Sequence, residues 1–217
     1  MKTVTIIAAS NWPTCHAQAI NRTAACVPFE TKKILITNKR PKCEFDGEIH
    51  PLPKWAGRKW PKPVQNRIAL EELVKHVTTD VAIYCQWDGF AINPQHWTDE
   101  FLEYDYIGAP WQATPPPYHP TRRVGNGGFS IRSKRWLETC ASFPNKLVGH
   151  EDARCCCWDV YHFLNAGCTI APLDLAMRFS FEHIIPEYPK HTINDSFGFH
   201  DPRHFGRRHD LPKPKRE

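Results

Sequence analysis

The stretch IYCQWDGFAINP, residues 83–94, ends an apolar run on a lone carboxylate, Asp88, set between Gln86 and Gly89. A carboxylate placed there can hold a hard cation through its oxygens, or it can simply turn the chain ahead of a glycine. Two further acids, Glu151 and Asp152 in GHEDARCCCW, open a helical stretch. There a carboxylate can take the proton of a reacting hydroxyl, or only meet the positive end of the helix dipole. Between them, VGNGGFSIRS (124–133) sets three glycines before a strand-like FSIRS, which suits either a tight turn or a backbone that approaches another group closely.

These residues need a scaffold. TVTIIAAS (3–10) reads as a buried parallel-type strand, WPTCHAQAINRTAA as a helix with Pro13 in its first turn, and KKILITN (32–38) as a second strand. The proline-rich segment 39–62 reads mostly as loop. KPVQNRIALEELVKHV predicts a helix with Leu70, Leu73, Val74 and Val77 on one face, and DVAIYC (80–85) a third strand. Alternating strands and helices predict an α/β fold with a mostly parallel central sheet, flanking helices and right-handed crossovers. Asn11, Asn38 and Asp88 then lie just past the carboxyl ends of strands, where such sheets bind ligands. After GHED, Cys157, Val160, Tyr161 and Leu164 are expected on one helical face, with Gly167 at the C-terminal end.

At 217 residues, 41% hydrophobic with 8 Trp and 12 Phe, the chain suits one domain with a substantial core and excludes disorder. No stretch reaches the roughly 18 apolar residues of a membrane span, so a soluble protein is expected. Nine cysteines, an odd number without CxxC spacing, point to a reduced, cytoplasmic chain with buried thiols; the adjacent Cys155, Cys156 and Cys157 point in different directions on a helix and cannot share one metal. The formal charge of +5 is uneven: residues 32–67 carry ten Lys or Arg against three acids, and the last 18 residues six against three. Such clustering fits a polyanionic partner, either a nucleotide phosphate or a nucleic-acid backbone. P-loop, GxGxxG and GxSxG patterns are absent.

Taken in order, a first strand, QNR on a helix, strand–QWDG, YDYIGAPW, GNGGFS, ED at a helix start and FGFH near the end resemble the GT-A glycosyltransferase superfamily. More closely, they are similar to small GT-A-like proteins with Q-x-D-G, YDYIGAPW and GNGGFS signatures. The resemblance implies one GT-A-like domain over 1–200 and a basic C-terminal tail over 201–217. It implies a hexosyl- or pentosyltransferase that moves a sugar from a nucleotide-sugar donor, a UDP-sugar foremost, to a hydroxyl acceptor, metal-assisted and with inversion. Asp88 would hold Mn²⁺ or Mg²⁺ against the diphosphate, with Gln86 standing where the superfamily's Asp-x-Asp has its first acid. His200 in SFGFHDPRH, or His204 beside it, would be the second ligand, and Arg67 would steady the diphosphate. Ala8, Ser10 and Asn38 would meet the nucleoside, with Gln86 and Trp87 also against the donor, while Gly127 and Gly128 would border its sugar. Asp152 or Glu151 would be the base, and the loop 112–123 would close over the donor.

For the acceptor, two basic regions together with Trp55 and Trp60 admit a hydroxymethylated DNA base of the kind viruses make, which would place the protein in host cytoplasm. A glycan or lipid-linked acceptor fits as well. Two other classes remain open: a non-catalytic nucleic-acid-binding protein on a degenerate transferase fold, and a nucleotidyltransferase that would release pyrophosphate.

Overall fold

The structure, a computed structural model, describes residues 3–57, 59–113, 123–143 and 149–206. Strand β1 (Val4–Ala9) leads into helix α1 (Pro13–Cys26), where Pro13 occupies a first-turn position that needs no N–H partner. β2 (Thr31–Ile36) follows, and the segment read as loop also contains a short strand, β3 (Glu48–His50). α2 (Lys62–Arg67) continues through a π-turn, Ile68–Glu72, into α3 (Leu73–His76). Beyond β4 (Val81–Cys85) and β5 (Gly89–Ala91) come β6 (Tyr106–Pro110) and β7 (Val124–Ser133). The glycines of 125–128 thus lie within a strand rather than in a turn ahead of one. Helix α4 (Lys134–Ser142) starts at Ser133, whose Oγ accepts the Trp136 N–H at 3.0 Å.

The main sheet has the order β3-β2-β1-β4-β7-β6. β3, β2, β1 and β4 run parallel, while β7 lies antiparallel to both β4 and β6, so the sheet is mixed but mostly parallel. Alternation along each strand divides the core. Val4, Ile6 and Ala8 of β1 face α1, joined by Leu35, Ile83, Phe129 and Ile131. Ile7 and Ala9 face the opposite side, with Ile34, Ile36, Tyr84, Ile68 and Leu73.

After α5 (Glu151–Ala153), a second π-turn, Arg154–Trp158, leads into α6 (Val160–Asn165). Its wide hydrogen bond runs from the Asp159 N–H to the Arg154 carbonyl at 2.8 Å. The extra residue shifts the helical phase. Cys155, Cys156, Val160 and Phe163 point inward, whereas Tyr161, expected on one face with Cys157, Val160 and Leu164, is 61% exposed. Gly167 (φ 77°) closes the helix in the left-handed conformation, as its position suggests. α7 (Leu173–Phe179) ends in β8 (Ser180–Phe181), which pairs with β9 (Gly198–His200) in a second sheet of order β5-β9-β8. Packing continues past the expected domain boundary at 200, because Phe205 is buried and stacks on Trp87. Residues 207–217 of the basic tail and 114–122 of the proposed donor loop lie outside the described residues.

Helix α1 carries a pH dependence. Its His16 is buried and donates Nδ1–H to the Trp12 carbonyl at 3.0 Å. Burial pushes this ring down to about 4. The unfolded chain therefore takes up a proton near the ordinary value and the folded chain only near 4, so stability present above pH 6.5 is lost as pH falls between those values. Between pH 7 and pH 4 the wild type should lose about 3 kcal/mol more than a His16→Gln variant. Urea melts at the two pH values measure this, and an equal loss in the variant would clear His16 of the effect.

Candidate active site

The small sheet draws distant residues together. Gly89 pairs with His200, and Phe181 pairs with Phe199, so Asp88, His200 and Glu182 meet at one end of it. Asp88 sits in a two-residue turn closed by Gln86 and Gly89, which exchange both backbone hydrogen bonds at 3.0 Å. Its side chain is buried, Oδ1 accepts no hydrogen bond among the described residues, and His200 Nε2 stands 3.8 Å away. Burial pushes the Asp88 carboxyl above its ordinary value, against the pull of His200. For His200, burial alone would lower the ring, but the Glu182 and Asp88 carboxylates outweigh it and raise its pKa. The next residue, Asp201, has φ 113° and donates its N–H to the Asp88 carbonyl at 2.9 Å, so local backbone strain is tied into the same turn.

The His200 ring lies flat against glycine. A Cβ on Gly128 would stand 2.0 Å from its Nε2, and one on Gly89 2.9 Å from its Cδ2. Gly127 is equally hemmed in, since a Cβ there would come within 2.7 Å of Glu151 Oε1. Its N–H donates to Asp152 Oδ2 at 3.1 Å, and Asp152 Oδ1 accepts the Ala153 N–H at 2.8 Å. Glu151 is instead the counter-ion of Arg132, a wholly buried guanidinium 2.8 Å away. Arg132 also donates to Ser130 Oγ and the Gly127 carbonyl, and lies over the rings of Tyr84 and Tyr106. Burial pushes the Glu151 carboxyl up, partly offset by Arg132. Of the two acids, Glu151 is thus engaged in holding the wall together, while among the described residues Asp152 is held by backbone N–H groups.

One cleft gathers Gln86, Gly127, Gly128, Glu151, Asp152 and His200, with Lys62, Gln65 and Asn66 from α2 forming its other wall. Through Gln65, Tyr84 and Gln86 it continues into a groove lined by Ala9, Trp12, Trp60 and Trp87. Several expected residues lie elsewhere. Ala8 is wholly buried on the α1 side, because strand alternation gives the groove to Ala9. Ser10 is buried and accepts the Trp12 N–H, and Asn38 Oδ1 accepts the Leu52 N–H, so each fastens a strand end. Arg67 turns away to pair with Glu71 at 2.9 Å and stack 4.1 Å over Trp55. Among the described residues the Lys or Arg that lines the cleft is Lys62, which shares a helical face with Asn66 four residues on; arginine has the stronger phosphate-binding chemistry, but helical phase gives the cleft to the lysine. His204 is buried against the Glu182 carbonyl, away from Asp88.

Among the described residues, no group of three or more His, Cys, Asp or Glu side chains is arranged to hold a metal ion. Asp88 and His200 nevertheless carry donor atoms of the kind a divalent cation takes: a buried carboxylate oxygen without a hydrogen bond among the described residues, and an imidazole nitrogen 3.8 Å from it on a residue that lines the cleft.

Residues 64–200 match the family described as "Protein of unknown function (DUF5672)". No curated protein matches the chain. Among solved structures, the galactosyltransferase LgtC in complex with donor and acceptor sugar analogues aligns with a TM-score of 0.53 at 12% identity, covering 91% of this chain and 86% of that one. A glycosyltransferase involved in glycosylation of the major capsid of PBCV-1 aligns with a TM-score of 0.51 at 12% identity, covering 91% of both chains. The fold is therefore the GT-A-like fold of these glycosyltransferases.

Proposed function

Since the chain belongs to the DUF5672 family and folds as these glycosyltransferases do, we propose that it transfers a sugar from a nucleotide-sugar donor to a hydroxyl group. The observation that carries this reading is that His200 and Asp152 line one cleft that opens into the tryptophan-lined groove, with the buried Asp88 carboxylate 3.8 Å from His200 Nε2. Trp12, Trp60 and Trp87 offer flat surfaces for a nucleoside base, and Lys62 supplies positive charge for the diphosphate. A divalent cation held by Asp88 and His200, Mn²⁺ or Mg²⁺, would neutralise charge on the leaving diphosphate. Asp152 would accept the proton of the attacking hydroxyl as its oxygen bonds to the anomeric carbon and the bond from that carbon to the diphosphate breaks, an inverting course. General-base assistance of this kind contributes typically about 10²–10⁴-fold. Glu151, paired with Arg132, would hold the helix start that presents Asp152.

A carbohydrate hydroxyl is the acceptor we favour, in keeping with the acceptor sugar analogue bound to LgtC. A nucleic-acid acceptor draws less support: Trp55 is covered by Arg67, Trp60 lines the groove, and Lys32 and Lys33 are paired with Glu48 and Asp46. The test is a panel of nucleotides and nucleotide sugars read by thermal shift, with and without Mn²⁺. A ligand at 100 times its Kd should stabilise the wild type by about 2.7 kcal/mol. For one nucleoside diphosphate class the shift should need Mn²⁺ and vanish in Asp88→Asn. If nothing in the panel stabilises the protein while DNA or RNA does, the binding-protein reading replaces this one.

A further inference from the structure

Glu182 belongs to none of the motifs that point to the cleft, yet its carboxylate touches the candidate cation site from behind. β8 lies parallel to β9, so Glu182, one residue past Phe181, falls beside His200. The side chain is only 10% exposed. Its Oε1 stands at ion-pair distance, 3.5 Å, from His200 Nδ1, a buried nitrogen with no hydrogen-bond partner among the described residues, and 3.7 Å from His183 Nε2, while Oε2 accepts a hydrogen bond from Asn126 Nδ2. Asn126 in turn accepts the Gly128 N–H at 3.1 Å, and Gly128 is the floor on which the His200 ring rests. One side chain thus fixes both the carboxylate behind the ring and the backbone beneath it. The neighbouring histidine, His183, lies near the same oxygen without hydrogen-bonding it. Arg203 approaches His183 Nδ1 at 3.3 Å, which makes that nitrogen the acceptor and leaves the His183 ring proton on Nε2, facing Glu182.

An imidazole can bind a cation only through a nitrogen that carries no proton, and the partner of the other nitrogen decides which one that is. A carboxylate at Nδ1 draws the proton to that atom. Nε2 is then the nitrogen left without a proton, 3.8 Å from Asp88 Oδ1.

We propose that Glu182 is a positioning residue whose charge beside Nδ1 keeps the His200 proton on that atom, so that Nε2 and Asp88 are left to hold a divalent cation. The proposal rests on the metal-assisted reading above. Its test measures Mn²⁺ binding directly, by the loss of the free-ion electron paramagnetic resonance signal, with and without UDP, together with the tautomer of His200 from ¹⁵N imidazole shifts. Glu182→Gln keeps the size and the acceptor toward Asn126 but turns an amide toward His200. It should weaken Mn²⁺ binding about 10–100-fold, a loss typical of partners behind a metal ligand. It should also move the proton from Nδ1 to Nε2 and leave the melting temperature of the metal-free protein unchanged. Unaltered Mn²⁺ affinity in Glu182→Gln, beside normal binding by the wild type, overturns the role of Glu182 alone. A wild type that binds no Mn²⁺ under either condition overturns the metal-assisted reading and this proposal with it, while nucleotide binding in the thermal-shift panel still reports separately on the donor site.

Discussion

Gly128→Ala should abolish Mn²⁺-dependent stabilisation by the donor and lower sugar transfer by about 100-fold or more, an effect comparable to losing a group that orients a metal ligand. The reason is geometric. The His200 ring is packed between Gly128 and Gly89, and a methyl group on Gly128 would overlap Nε2 at 2.0 Å and Cδ2 at 2.1 Å. Glu182 lies at the Nδ1 edge, so the ring escapes only by swinging away from Asp88. Overpacking of this kind costs typically about 1–3 kcal/mol, which leaves a folded protein to assay. Metal-independent nucleotide binding in the tryptophan groove should persist, and this separates a displaced ligand from general unfolding. A variant that retains wild-type Mn²⁺ dependence would show that His200 does not contribute to the cation site.

Arg132→Met should have the largest effect on stability. It leaves the carboxylate of Glu151 buried without its counter-ion, and it removes donors to Ser130 Oγ and the Gly127 carbonyl. Breaking a buried pair from one side costs about 3–5 kcal/mol, most of it the penalty of the stranded charge. Adding Glu151→Gln should therefore recover a substantial part of the loss, because the second change removes that charge. Urea unfolding of the wild type, both single variants and the double variant gives the coupling directly. Additive losses, with no recovery in the double variant, would mean that the pair is not coupled as its 2.8 Å contact indicates.

Much of the fold was legible because strand patterns and a well-spaced helix announce themselves locally. The run before Asp88 ends where β4 ends, and the face expected for 62–77 is buried at Leu70, Leu73 and Val77. Parity and phase were the harder matters. Ala8 and Ala9 are chemically identical, and only the register of β1 decides which one meets the groove. Arg67 is the more potent phosphate ligand on paper, but it follows Asn66 by about 100° around the helix and so leaves the cleft. Glu182 gave no signal at all, since a two-residue strand has no periodicity to detect and its partners lie 18 and 56 residues away along the chain. The glycines of 125–128 left a tight turn and a close backbone approach both open, and β7 shows the second: Gly127 and Gly128 are small where Glu151 and His200 lie against the strand.

The two π-turns bear on how this chain should be aligned with its relatives. Each holds one residue more than an α-helix of the same span, at Ile68–Glu72 behind Lys62 and Asn66, and at Arg154–Trp158 behind Glu151 and Asp152. In effect each is an insertion absorbed inside a helix instead of in a loop. Relatives that keep the cleft but lack the widened turn would differ by a one-residue gap in mid-helix, where alignments conventionally resist placing one. An alignment without that gap would match Asn66 or Asp152 to a neighbour facing another way, and so misassign the residues that line the cleft while leaving every strand correctly paired.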